Sequence, residues 1–168
     1  MYDWANSVYN LVICSAIYPI YYESITSVKD VEKHTIIKDT VTLFGMEFKN
    51  TVLSMYALSF SYLIVCLLSP ILSSIADTRG NKKSFLRFFC YMGAAACAGL
   101  YFLEPGTGGQ QPAMLGMGIF CMIMASIGFW GGLVFYNSFL PDIASHNDMD
   151  KISARGFALG YLGSSILL

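Results

Sequence analysis

The sequence predicts an all-α fold, a polytopic membrane helical bundle, and three observations predict it. Of 168 residues 55% are hydrophobic and only 12% charged, with a mean hydropathy of +0.56, a balance that soluble domains of this size rarely keep. Four apolar segments are each long enough to cross a bilayer. Between the second and third lies a short, basic, glycine-centred turn at residues 76–83.

The four segments are 4–22, 52–75, 85–103 and 113–140. At a rise of about 1.5 Å per residue even a 19-residue segment reaches roughly 28 Å, close to the thickness of a hydrocarbon core. A fifth, 156–168, is still apolar at its last residue and carries no helix-stop signal, so the sequence reads as a fragment cut inside its fifth span. No basic stretch precedes the first apolar run, which disfavours a cleaved signal peptide.

The connections differ in character. Residues 23–50 form a longer polar stretch with four lysines and five acids, and the alternation at 40–49 around Gly45 predicts a short hairpin outside the bilayer. The third connection, 104–112, holds Pro105, Gly106, Gly108 and Gly109 and reads as a tight turn. The fourth, 141–155, holds Asp142, Asp148, Asp150, Lys151 and Arg155, with Ser153 placed to cap the fifth helix. Orientation follows from the basic residues. Arg79, Lys82, Lys83 and Arg87 fall in the second connection and Lys151 and Arg155 in the fourth, which puts both connections and the amino terminus in the cytoplasm.

Several function classes are excluded. A net charge of -1 with dispersed Lys and Arg leaves no footprint for nucleic acid. The five cysteines, Cys14, Cys66, Cys90, Cys97 and Cys121, all sit in apolar segments without a histidine at metal-ligand spacing, and read as small packing residues. His34 and His146 fall on opposite sides of the predicted membrane, and no nucleophile has a base at a motif spacing. The chain is read as no enzyme, with no cofactor and no metal.

Polar residues inside the spans are the functional candidates. Asp3, Asn6, Ser7, Asn10 and Cys14 share one face of an α-helix, and amides and carboxylates are costly in hydrocarbon unless they meet protein or water. The stripe fits the wall of a solute pathway, with hydrogen bonding between helices as the alternative. In the second span Ser59, Tyr62, Cys66, Ser69 and Ser73 form a weaker stripe, better read as packing, and Pro70 predicts a kink. The residues from Gly93 to Gly99, and the pair Gly128 and Gly132, predict close helix approach. Trp130 and Asn137, seven residues apart, share a face and fit either a ligand contact or an interfacial aromatic with a capping amide.

The turn from Ser73 to Lys83 resembles the loop signature of the major facilitator superfamily, G-x-L-x-D-x-x-G-x-[KR]-[KR]. Asp77, Gly80 and Lys82 match in register, while Ser73 replaces the leading glycine and Asn81 a usual basic residue. The opening residues 2–7, the block 135–142 and residues 153–158 narrow the match to the vacuole-effluxer-like branch, related to the fungal autophagy-associated amino-acid effluxer. The resemblance implies a partial major facilitator fold. It would be most of the amino-terminal half of a 12-span secondary transporter whose carboxy-terminal half is missing here. It further implies a small solute, amino acids among the candidates, moved by alternating access. Its partners would be membrane lipid and the missing half, and its place a bacterial cell membrane or, in a fungus, the vacuolar membrane. Asp77 with Arg79, Gly80, Lys82 and Lys83 would then form a conformational latch, with Arg155 the candidate partner of Asp77. A scaffold or receptor whose outer loop binds a partner is the competing class.

Overall fold

Apolar length and a few special residues set the helices of the computed structural model, which describes residues 2–29, 36–43, 45–106, 112, 114–143 and 148–168. Within these, the side chains of 2–4, 28–29, 36–38, 76–79 and 142–143 lie outside the described set. Helix α1 (Tyr2–Val8), a π-helical segment (Tyr9–Ile17) and α2 (Tyr18–Thr26) form one rod, because Val8 and Tyr18 at the joins keep right-handed helical angles. The widened turn reaches back five residues: the Tyr18 N–H donates to the Ile13 carbonyl, and the Ser15 hydroxyl donates to the Asn10 carbonyl at 2.7 Å. Pro19 favours the widened turn at its carboxy-terminal end. It has no N–H to send to the Ser15 carbonyl, and its ring crowds that carbonyl in a regular α-turn.

Two small antiparallel pairs follow. Strand β1 (Val28–Lys29) pairs with β2 (Ile36–Lys38), and β3 (Thr40–Leu43) pairs with β4 (Met46–Lys49). The second pair is a hairpin whose turn contains Gly45 at φ +80°, a conformation other residues adopt only at a cost. Lys49 and Asp39 close its base at 3.2 Å, and Val41 turns inward against the helices.

Helix α3 (Asn50–Arg79) starts directly from β4, accommodates Pro70 in its interior, and ends at Gly80, φ +64°. Helix α4 (Lys82–Gly99) runs into a 3-10 turn (Leu100–Phe102), and α5 (Leu115–Ser138) leads to the short α6 (Leu140–Ile143) and to α7 (Met149–Leu167). Part of the tight turn expected at 104–112, with Gly108 and Gly109, lies outside the described residues, as do His34 and His146. Among the described residues three helical stretches are long and apolar enough to cross a membrane: Asn50–Ile75, Lys82–Phe102 and Leu115–Ser138.

Helix α5 is the hub. Its apolar window is 67% buried, against 17% for α3 and 11% for α4, so α5 is wrapped by its neighbours while they present apolar rows outward. On α3 those rows include Phe60, Leu63, Leu67 and Ile71, which suit contact with lipid chains. The seam between α4 and α5 is antiparallel and built on small residues. Phe85 stacks on Phe135 at 5.3 Å, and Gly131 faces the Phe89 ring. Gly93 meets Gly128, Gly99 meets Cys121 and Leu103 meets Gly118 further along. A Cβ at Gly128 would stand 2.6 Å from the Gly93 Cα, so backbone touches backbone there. Helix α7 packs along α1 and the π-helical segment and buries Gly160, Gly163 and Ser164.

One expectation needs correction. Helix α7 begins at Met149 with Asp148 at the N-cap position, so Ser153 lies inside the helix and caps nothing. Asp150 in the first turn favours this earlier start, because a carboxylate there complements the positive end of the helix dipole.

Candidate functional site

The first helix does not present its polar residues as a straight α-helix would. Within the rod the π turns shift the azimuth, and the expected stripe spreads. Asn6 lines a cavity of about 280 Å³ between the first helix, α4 and α5, together with Ala5, Tyr9, Phe89, Gly93 and Phe129. Ser7 is half-buried and Asn10 exposed, while the Asp3 side chain lies outside the described residues. This volume sits near the lower end for small-molecule pockets, and the wall is mostly apolar with one amide.

Beside the cavity stands an aromatic row. Tyr9 packs on Phe129 with ring centroids 5.3 Å apart, Phe129 meets Trp130 edge-on at 5.1 Å, and Trp130 meets Tyr62 of α3 edge-on at 5.8 Å. The Tyr9 hydroxyl shares a 2.7 Å hydrogen bond with the buried Ser126 hydroxyl of α5, fixing the first helix to the hub. Trp130 therefore belongs to the contact between α3 and α5. Asn137, although on the same helix, is exposed at a smaller recess of about 60 Å³ shared with Phe139, Ile152, Ser153 and Phe157. The structure thus places Asn6, Trp130 and Asn137 in three different surroundings and does not bring them together.

The basic turn has a clear local logic. Gly80 terminates α3 in the left-handed conformation, where a Cβ would collide with the backbone, so a glycine is the natural residue. Two residues on, Lys82 opens α4, and its Nζ donates to the Ser138 carbonyl at the end of α5, 3.3 Å away. A cation at the carbonyl end of a helix satisfies an acceptor and complements the dipole. Lys83 and Arg155 are exposed, and the side chains of Asp77 and Arg79 lie outside the described residues. At the start of α7 Lys151 and Asp148 pair at 3.7 Å.

Sequence reasoning missed four residues that the structure brings forward: Tyr9, Tyr18, Tyr22 and Ser126. Tyr18 and Tyr22 stack at 5.5 Å and are buried. The four-residue spacing of Tyr18, Tyr22 and Thr26 was the available signal, a row of rings and hydroxyls on one face.

Membrane-length apolar helices around a buried hub, joined by a glycine-capped basic turn, define a multi-pass membrane protein with a partial major facilitator bundle. The chain belongs to the vacuole effluxer Atg22-like family, whose model matches residues 1–168. It is 36% identical over 166 residues to the uncharacterized MFS-type transporter YxiO of Bacillus subtilis, covering 99% of this chain and 34% of that protein. It is 27% identical over 107 residues to autophagy-related protein 22-2 of Penicillium rubens, covering 64% of this chain and 16% of that one. The chain therefore spans about a third or less of the length of these curated relatives. No solved structure matches it. The family model and the Bacillus subtilis relative are both named for transport.

Proposed function

We propose that this chain is part of a secondary active transporter that moves a small solute, amino acids among the candidates, by alternating access. The observation that carries the reading is the pair of amides Asn10 and Asn137, which the described residues leave exposed on predominantly apolar helices. An uncovered amide is costly against lipid, so such groups belong beside water, a solute or another part of the protein. Asn10, Trp130 with Tyr62 beside it, and Asn137 then face the pathway, while Asn6 and Ser7 stand at its margin. Asp3 lies near the start of the first helix. The full match to an effluxer-like family supports the same direction.

The turn at residues 76–83 supplies the gate in this reading. Lys82 ties it to the end of α5. Asp77 pairs with Arg155 in one state and releases it in the other, with Arg79 and Lys83 holding the turn at the cytoplasmic headgroups. The amino terminus is on the same side.

The test is flux of labelled amino acids by the whole protein in proteoliposomes. Asn10→Ala and Trp130→Ala are expected to lower flux by about tenfold, the cost of one lost transition-state contact. Asp77→Asn should lower it with folding intact. Full flux in all three variants would remove these site assignments, and no flux for any solute in a broad panel would count against transport.

A further inference from the structure

The π-helical segment sets up a second buried face on the first helix. Tyr9 and Cys14 are five residues apart, about one widened turn, and Cys14, Tyr18, Tyr22 and Thr26 follow at four-residue steps. These side chains line one side of a single rod. Both ends of the line are paired. At one end Tyr9 and Ser126 share their 2.7 Å hydrogen bond. At the hairpin end Asn50 Nδ2 donates to Thr26 Oγ1 at 3.1 Å, and the Thr26 hydroxyl donates to the Tyr22 carbonyl at 2.6 Å.

The middle is different. Tyr18 is 5% exposed and Tyr22 1%, and among the described residues neither hydroxyl has a hydrogen-bond partner. In an interior of low dielectric an unpaired hydroxyl is expensive, and phenylalanine would fill the same space without that cost. Protein interiors answer such groups with ordered water, each molecule making about three hydrogen bonds. The two rings stack with centroids 5.5 Å apart and 26° between planes. A bound cation fits less well, since the line is made of neutral hydroxyls and a thiol with no carboxylate to offset the loss of hydration.

We infer that Tyr18 and Tyr22 hold at least one ordered water, in the middle of a row of polar side chains whose ends are the Tyr9–Ser126 and Thr26–Asn50 pairs. This water hydrates the inner side of the first helix between those two paired ends. It is separate from the exposed amides Asn10 and Asn137 and holds whether or not the whole protein transports a solute.

Radiolytic hydroxyl-radical footprinting of the whole protein in nanodiscs, read by mass spectrometry, makes its radicals from waters in place. After correction for intrinsic reactivity, Tyr18 and Tyr22 should label about fivefold faster than Phe135, which is equally buried but apolar. Tyr22→Phe should slow labelling of Tyr18. The double variant Tyr18→Phe, Tyr22→Phe gives an independent sign. A hydrated pair makes its thermal midpoint fall, because water loses its partners. A midpoint that rises, or labelling of both tyrosines at the Phe135 rate, overturns the inference.

Discussion

The Lys82 ammonium lies 3.3 Å from the Ser138 carbonyl oxygen, so the first residue of α4 caps the last residue of α5. These two helices touch backbone to backbone at Gly93 and Gly128, and the contact fastens the basic turn to the hub at one end of that seam. Lys82→Met should keep the apolar stem and lose the cap, destabilising the bundle by about 0.3–1 kcal/mol, as for a cation removed from a helix C-terminus. Lys82→Arg should recover most of it. Thermal midpoints of the whole protein in detergent measure both, and an unchanged midpoint for Lys82→Met would show that the contact contributes nothing.

The two glycines that meet across the seam should respond differently. A Cβ at Gly93 would sit 3.5 Å from the Gly128 Cα, an ordinary contact, whereas a Cβ at Gly128 would fall 2.6 Å from the Gly93 Cα and 2.9 Å from the Phe89 carbonyl oxygen. Gly93→Ala is expected to be neutral or mildly stabilising, since alanine favours helix by up to about 1 kcal/mol. Gly128→Ala should cost about 1–3 kcal/mol, because only movement of backbone relieves the clash. Equal midpoints for the two variants would contradict the seam.

Tyr9 and Ser126 are suited to a double-mutant cycle. Tyr9→Phe and Ser126→Ala each leave the partner hydroxyl buried, and the double variant removes both. A coupling energy of about 0.5–1.5 kcal/mol is expected, in the range of hydrogen bonds between membrane helices. Additive effects would mean that the two hydroxyls do not depend on each other.

Gly80 should tolerate asparagine far better than valine. Its φ of +64° is left-handed, which costs a residue with a Cβ roughly 1–2 kcal/mol and a β-branched residue more. Expression and thermal midpoint of Gly80→Asn and Gly80→Val order the two, and the reverse order would exclude the left-handed turn.

Much of this was legible because its causes are local. A run of apolar residues long enough to cross a bilayer becomes a helix wherever it packs, since no other arrangement there satisfies its backbone. Gly45 and Gly80 mark turns because a left-handed angle selects glycine before any tertiary contact forms. The placement of Asn6, Trp130 and Asn137 was not legible. In sequence Trp130 and Asn137 share a helix face and Asn6 belongs to the stripe on the first helix, yet Asn6 lines the cavity beside α4, Trp130 leans on Tyr62 and Asn137 borders α7.

By itself, the sequence determined that the chain is a bundle of membrane-length helices with a glycine-ended basic turn and a small hairpin, through composition, length and turn chemistry. Only the tertiary structure decided which helix is central and which polar groups face inward. The π-helical segment ahead of Pro19 rotates the first helix by an amount no 3.6-residue period anticipates, bringing Tyr9, Tyr18 and Tyr22 inside and leaving Asn10 out. Likewise, that α5 rather than α3 is buried depends on the match of Gly93 with Gly128, and close approach is a property of two surfaces together.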